Sequence, residues 1–398
     1  TIALRAGMPK RESTNLKIAE GRFNYAGRLD EMTNRRFGFR YPLDRCTGEI
    51  QIETNIPTPQ GLCERIQVKS LTGFNRIARP VDGGPEDVSV SAEGQILSFT
   101  APDGESEDTV DLLIRVRDLP IDAKLAGAFA SSPDGVPYRA FDLRGWADTV
   151  DIRIEREAFQ DLEERSTIEV ALRDCSLAYE NFPLRVEGLT AQVTSAEVPV
   201  GPGQPLSRVL SIREMEGEVV DGGTLTGQAT LVESPEGELE IAVDLDVTDL
   251  VLGRNLGRAL RLSSMIDSAA SETWYKVRPY GLANAFIDIT PDKGTEVRIE
   301  FGGRSCLGGY EAADCPITDL DGALTYVNGR IALEGVEGRL GDAPIQIRGS
   351  VDPETGPALS AQVRGLPLDA KVLELARNLE PGIAPILDRL DLQPSSRL

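Results

Sequence analysis

The sequence predicts a mostly-β fold, in which one long curled antiparallel sheet forms an open β-groove from tandem repeats, with short helices at the repeat junctions. Three observations predict it: apolar residues alternate with polar ones, Gly- and Asn-containing turns separate these segments, and similar segments recur along the chain. The clearest alternation runs from Leu239 to Thr248. Because successive strand side chains point to opposite faces, each such segment has one apolar and one polar face, which is typical of antiparallel sheets.

The recurring segments define the repeats. Residues 116–125 closely resemble residues 363–372, and residues 247–254 are a degenerate copy. Each copy follows an alternating strand and leads into a helix-like stretch, so Asp122 and Asp369 are expected to cap short helices through their carboxylates. With a period of about 120–135 residues, the sequence predicts repeats at 1–130, 131–262 and 263–384, with a further repeat beginning at 385–398. We interpret the chain as a segment of a longer protein.

The apolar strand faces need a cover, and a sandwich, a closed barrel or a curled trough would each provide one. No Gly/Ser- or Pro-rich linker separates the repeats, which favours stacking of the repeats into one continuous sheet. The apolar positions are aliphatic rather than aromatic, so the trough suits acyl chains, although the same pattern would also line a closed core. The predicted lipid-binding residues are Val150, Ile152, Ile154, Ile168, Val170, Leu172, Leu239, Ile241, Val243, Leu245, Val297, Ile299, Phe301, Ile345 and Ile347.

Composition excludes several classes of function. The chain has 42 Lys and Arg against 64 Asp and Glu, and this net charge of -22 argues against binding to nucleic acid. Histidine is absent, which removes the commonest general base and the commonest metal ligand. We therefore predict that the protein is not an enzyme and has no catalytic residue, no metal site and no cofactor. A carbohydrate-active protein that uses two carboxylates remains a weaker alternative.

The five cysteines are too few for a disulfide scaffold. Cys46 and Cys63 are close enough in sequence for a local bridge, as are Cys306 and Cys315, which would leave Cys175 unpaired. Buried thiols that pack as small apolar groups are an equally good interpretation. Cys175 with Tyr179 is expected to mark a packed junction between a strand and a turn.

Residues 317–350, together with the Leu-Pro-x-Asp-Ala step and the Ile-x-Gly-x-Val pattern at Ile347–Val351, resemble AsmA-like and TamB-like envelope proteins. The resemblance is strongest over residues 280–390. It implies a repeating β-groove in the bacterial periplasm, in a protein anchored in the inner membrane outside this segment. Its partners would be phospholipid acyl chains, carried from the inner toward the outer membrane, and it implies no enzymatic activity. The alternative is an assembly module for outer-membrane proteins that acts by strand addition at an exposed sheet edge.

Overall fold

The structure is a computed structural model. It describes residues 10–23, 28–30, 35–37, 42–59, 61–77, 87–100, 106–123, 125–126, 141–158, 165–180, 182–199, 206–234, 239–262, 268–308, 316–352 and 355–365. Strands dominate these residues, and the two longest helices lie together between two of the strands.

The strands of the first half are β1 Glu12–Phe23, β2 Arg28–Asp30, β3 Arg35–Phe37, β4 Leu43–Thr58, β5 Gly61–Arg76, β6 Asp87–Thr100, β7 Ser106–Ile121, β8 Arg144–Arg156, β9 Arg165–Tyr179 and β10 Phe182–Pro199. Those of the second half are β11 Leu206–Val219, β12 Thr224–Glu233, β13 Leu239–Val251, β14 Pro279–Thr290, β15 Gly294–Glu300, β16 Ser305–Leu307, β17 Ile317–Val327, β18 Arg330–Leu340, β19 Ala343–Asp352 and β20 Gly356–Val363. The helices are α1 Arg254–Leu262 and α2 Ser268–Val277.

All strands except β2 and β3, which form a separate hairpin, belong to one 18-stranded sheet. β1 pairs with β4, and from there each strand pairs antiparallel with the next one along the chain. Two short strands, β15 and β16, lie one after the other between β14 and β17, and each pairs with both of them. The predicted fold class, a long curled antiparallel sheet with short helices, is confirmed. The β7–β8 and β13–β14 pairings carry the sheet past residues 130 and 262 without a break.

Strand register collects the apolar side chains on one face, which we call the inner face. Ile152 of β8 lies opposite Ile114 of β7 and Ile168 of β9. Residues between these positions, such as Asp151 opposite Glu169, point to the outer face. Because register partners share a face in every pair, the alternation within each strand becomes one apolar surface across the sheet.

A line of β-bulges crosses this sheet near one end of the strands. At each bulge one residue has a positive φ, and shifts of register accompany most of them. The residues concerned are Glu20, Arg45, Asp118, Asp174, Gly188, Glu214, Asp249, Asp319 and Gly335. Bulges bend the strand that carries them and increase its twist, so a line of bulges along successive strands creases the sheet.

The residue that follows most of these bulges is apolar, faces inward and is deeply buried. We call this set the floor: Cys46, Leu119, Cys175, Leu189, Leu250, Leu320 and Val336, each 8% exposed or less. All except Cys46 belong to one continuous cluster of buried side chains. The hydrophobic core of the protein therefore lies along the crease and not across the whole inner face.

The helices lie at the same end of the strands. α1 packs against α2 and against β10, with Leu256 and Ala259 buried. Gly257 permits this packing because a Cβ there would lie 2.5 Å from the indole nitrogen of Trp274. A short helical turn after β7 begins at Asp122, whose Oδ1 accepts a hydrogen bond from the Leu125 N–H at 3.0 Å. The predicted cap at Asp122 is confirmed, and Asp369 lies outside the described residues.

Candidate functional site

The inner face continues beyond the floor toward the hairpin ends of the strands, and we call this part the wall. Its rows consist mainly of Val, Ile and Leu; one row runs from Val116 through Val150 and Val170 to Val193 and Ile212. Across the second half, Leu245 lies opposite Ile287, and further rows continue through β15 to β19. Pairing and alternation place all fifteen predicted lipid-binding residues on this one face.

These fifteen residues differ in exposure. Val150, Phe301 and Ile345 are buried, with 7–9% of each exposed, whereas Leu239 is 56% exposed and Ile241 is 37% exposed. The remaining ten are half-buried. The predicted residues thus extend from a packed base to an apolar surface in contact with solvent. The structure brings them together on one face, while their contact with lipid stays a prediction.

The length of the wall along the strands can be compared with the thickness of a bilayer leaflet. On β8, six residues separate Arg156 from the buried Val150, and on β12 eight residues separate Glu233 from the buried Leu225. At about 3.3 Å per residue these intervals correspond to about 20–26 Å. The hydrocarbon of one bilayer leaflet is about 15 Å thick, half of a core of about 30 Å. The inner face between the hairpin ends and these two buried residues is therefore longer than the hydrocarbon of one leaflet is thick.

The outer face is mostly polar and carries ladders of ion pairs, although Cys63, Leu97 and Phe99 also lie on it. Arg115 lies 3.0 Å from Glu93, and Arg298 lies 2.9 Å from Glu334. Among these carboxylates, that of Glu53 is the least exposed, and it accepts hydrogen bonds from Arg65 and Arg11. Both hydrogen bonds lower the pKa of Glu53 below its usual value, the one from Arg65 more strongly. The charged residues make this side of the sheet suited to contact with water, as is common for antiparallel sheets with one apolar face.

Charged side chains also stand on the inner face, at the hairpin ends directly beyond the apolar rows. We call these residues the rim. They are Glu64, Asp108, Arg156, Glu197, Arg208 and Glu233, and they belong to strands between β5 and β12. Arg208 pairs in register with both Glu197 and Glu233, and its guanidinium lies 3.8 Å from the Glu197 carboxylate. The rim therefore offers charges of both signs beside an apolar wall.

The suggested bridge between Cys46 and Cys63 is wrong. Cys63 lies opposite Ile56, which is ten residues along β4 from Cys46, or about 33 Å at the rise of a strand. A disulfide needs Cα atoms within about 7 Å. Cys46, Cys63 and Cys175 are free, buried thiols, and burial raises the pKa of Cys63 and Cys175. Cys306 is a free, half-buried thiol, and Cys315 lies outside the described residues.

The Cys175–Tyr179 pair marks a packed junction, as predicted. Cys175 is fully buried and donates a weak hydrogen bond to the Trp146 carbonyl at 3.4 Å. The Tyr179 ring stacks on Phe141 with ring centroids 4.8 Å apart, where β9 ends.

Among the described residues, no group of three or more acidic or cysteine side chains could hold a metal ion. No helix in the same residues is long and apolar enough to span a membrane.

The bulge line is the feature that sequence reasoning missed. Its signal is an Asp or Gly placed directly before a Leu, Cys or Val within an otherwise alternating strand, as at Asp249-Leu250, Asp319-Leu320 and Gly335-Val336. Asp and Gly tolerate the left-handed conformation better than β-branched residues, which explains their place there.

No family model, curated protein or solved structure matches the chain. The resemblance to AsmA-like and TamB-like proteins therefore stays a prediction that rests on the sequence patterns.

Proposed function

We propose that the inner face is a lipid-binding groove, and that the chain is a segment of a bacterial envelope protein that conducts phospholipids between the inner and outer membranes. The observation that carries this proposal is the continuity of the wall: rows of aliphatic side chains extend across the sheet and are left partly exposed above a packed floor. Lipid tails would lie against the wall, with the headgroups at its open side in water.

The energetics of a lipid explain why continuity matters. The two tails of a phospholipid contain roughly 30 methylene groups, each of which gains about 0.8 kcal/mol on burial. Exposing both tails to water would therefore cost on the order of 20 kcal/mol. A lipid can move along the protein only if each position offers comparable apolar contact, and register-paired rows from β4 to β19 supply it.

The location in the periplasm, in a protein anchored in the inner membrane, follows from the resemblance alone. Transport by sliding along a wall needs no catalytic residue, metal or cofactor, in keeping with a chain that lacks histidine. Residues Ile152, Ile168 and Ile241 would contact acyl chains, since they belong to rows of the wall above the floor.

Site-specific photo-crosslinking in bacterial cells tests the proposal. A crosslinking amino acid at Ile241, Val243 or Ile299 is expected to capture phospholipid, detected by mass spectrometry of the purified chain. The same amino acid at Asp244 or Arg298, on the outer face of the same strands, is the matched control and should capture none. Equal capture on both faces, or none on the inner face, contradicts the proposal. Capture of polypeptide at β20, which pairs with β19, would support strand addition instead.

A further inference from the structure

The rim is not a uniform belt of solubilising charge. Charges stand on the inner face at the hairpin ends of β5, β7, β8, β10, β11 and β12. On the later strands, the outermost described inner-face residues are uncharged: Leu239, Ile289, Thr295, Tyr326 and Val351. This difference singles out the strands from β5 to β12 as the part of the proposed groove where a polar headgroup would meet charged side chains.

The arrangement of signs along the rim is specific. Glu197, Arg208 and Glu233 are neighbours on three adjacent strands, so an arginine stands between two carboxylates. Cross-strand neighbours have Cβ atoms about 4.5–5.5 Å apart. A phosphate joined to an ammonium by a two-carbon linker can place its phosphate on the arginine and its ammonium on an adjacent carboxylate.

The balance of charge disfavours a headgroup that is only negative. The rim has four carboxylates and two arginines, and Arg156 and Arg208 are separated by the carboxylate of Glu197. An anionic headgroup at Arg208 would meet the carboxylates of Glu197 and Glu233 as well, whereas a zwitterionic headgroup satisfies both signs. Resting on the lipid-binding function proposed above, we infer that the groove favours zwitterionic phospholipids with an ammonium group over anionic phospholipids.

Competition between two lipids tests the inference. The purified chain is incubated with vesicles of equal parts phosphatidylethanolamine and phosphatidylglycerol with identical acyl chains, and the lipid it retains is quantified by mass spectrometry. Because exposed ion pairs contribute only modestly to binding, we expect about a two- to fivefold enrichment of phosphatidylethanolamine. The double substitution Glu197→Gln with Glu233→Gln should bring the ratio of the two lipids toward one.

The control separates the rim from the overall charge of the protein. Glu169 and Glu240 are exposed on the outer face, and Glu169→Gln with Glu240→Gln changes the net charge by the same amount. This variant should keep the enrichment of the unaltered chain. A ratio of one or below in the unaltered chain, or equal loss of enrichment in both variants, overturns the inference and leaves the lipid groove intact. A chain that retains neither lipid contradicts the proposed function and, with it, the inference.

Discussion

The floor and the wall are built from similar apolar residues on the same face of the same strands, yet their environments differ. Leu320, in the floor, is 1% exposed, whereas Leu239, in the wall, is 56% exposed. The bulges lie between these regions, and the floor side chains next to them belong mostly to the continuous buried cluster, which α1 joins through Leu256. Identical side-chain chemistry therefore supports two roles: cohesion at the floor and an accessible apolar surface at the wall.

The comparison shows that, among the described residues, burial is concentrated at the floor, while the wall keeps part of its apolar surface exposed. A single sheet has no second layer to bury its apolar face, and an exposed apolar surface of this extent invites aggregation or binding. Concentrating the core along a crease lets the wall stay open. Substitutions in the floor should change stability, and substitutions in the wall should change binding.

Truncation of a floor leucine should have the largest effect on stability. Leu320→Ala removes a fully buried side chain and leaves a cavity, for which we expect a loss of about 2–5 kcal/mol. Leu239→Ala is the matched wall variant and should cost less than about 1 kcal/mol, because its side chain is already largely in water. Urea unfolding midpoints, together with hydrogen exchange of β17 and β18, measure the difference. Similar losses in both variants would show that floor and wall are not distinct.

A change at a bulge should have an intermediate effect. Asp319 has a φ of 52° in β17, so Asp319→Val forces a β-branched residue into the left-handed region and should cost about 1–2 kcal/mol. Asp319→Gly, which adopts this conformation freely, should leave stability nearly unchanged.

Asp288→Val supplies the control for the bulge, because Asp288 lies in regular strand on the outer face, opposite Asp244. Valine fits a regular strand and removes a like-charge pair, so this variant should be as stable as the unaltered chain or slightly more stable. Thermal unfolding of the three variants compares them. If valine is tolerated at position 319, the crease does not depend on that backbone conformation.

The smallest expected effect is a pH dependence of stability that comes from Glu53, on the outer face of the sheet. Hydrogen bonds from Arg65 and Arg11 lower the pKa of Glu53, so its stabilising contribution is complete above the usual glutamate pKa of about 4.3. That contribution is lost as the pH falls through the lower pKa of the folded state. The unfolding midpoint of the unaltered chain should therefore fall more steeply below pH of about 4 than that of Glu53→Gln. Glu240→Gln should follow the unaltered chain, and parallel curves for all three would contradict the assignment.

The sequence predicted the strands and the face on which their apolar residues lie, because a period of two is a local property of a strand. Alternation from Leu239 to Val247 was enough to place these residues on one surface, and the cap at Asp122 followed from residue type and position. The bridge between Cys46 and Cys63 failed as a prediction because sequence separation does not reveal register. Cys63 lies close to the turn between β4 and β5, whereas Cys46 lies near the other end of β4, so the hairpin does not bring the two cysteines together.

Local alternation thus determined that this protein is a sheet with one apolar and one charged face. Only the tertiary structure decided which part of the apolar face is buried and which is open, since Leu320 and Leu239 have the same side chain and differ only in their position relative to the bulges. The burial of a side chain depends on which residues, distant in the sequence, pack against it. In this sheet that packing follows the crease, which arises from register shifts across many strand pairs. No single segment of the chain contains that information.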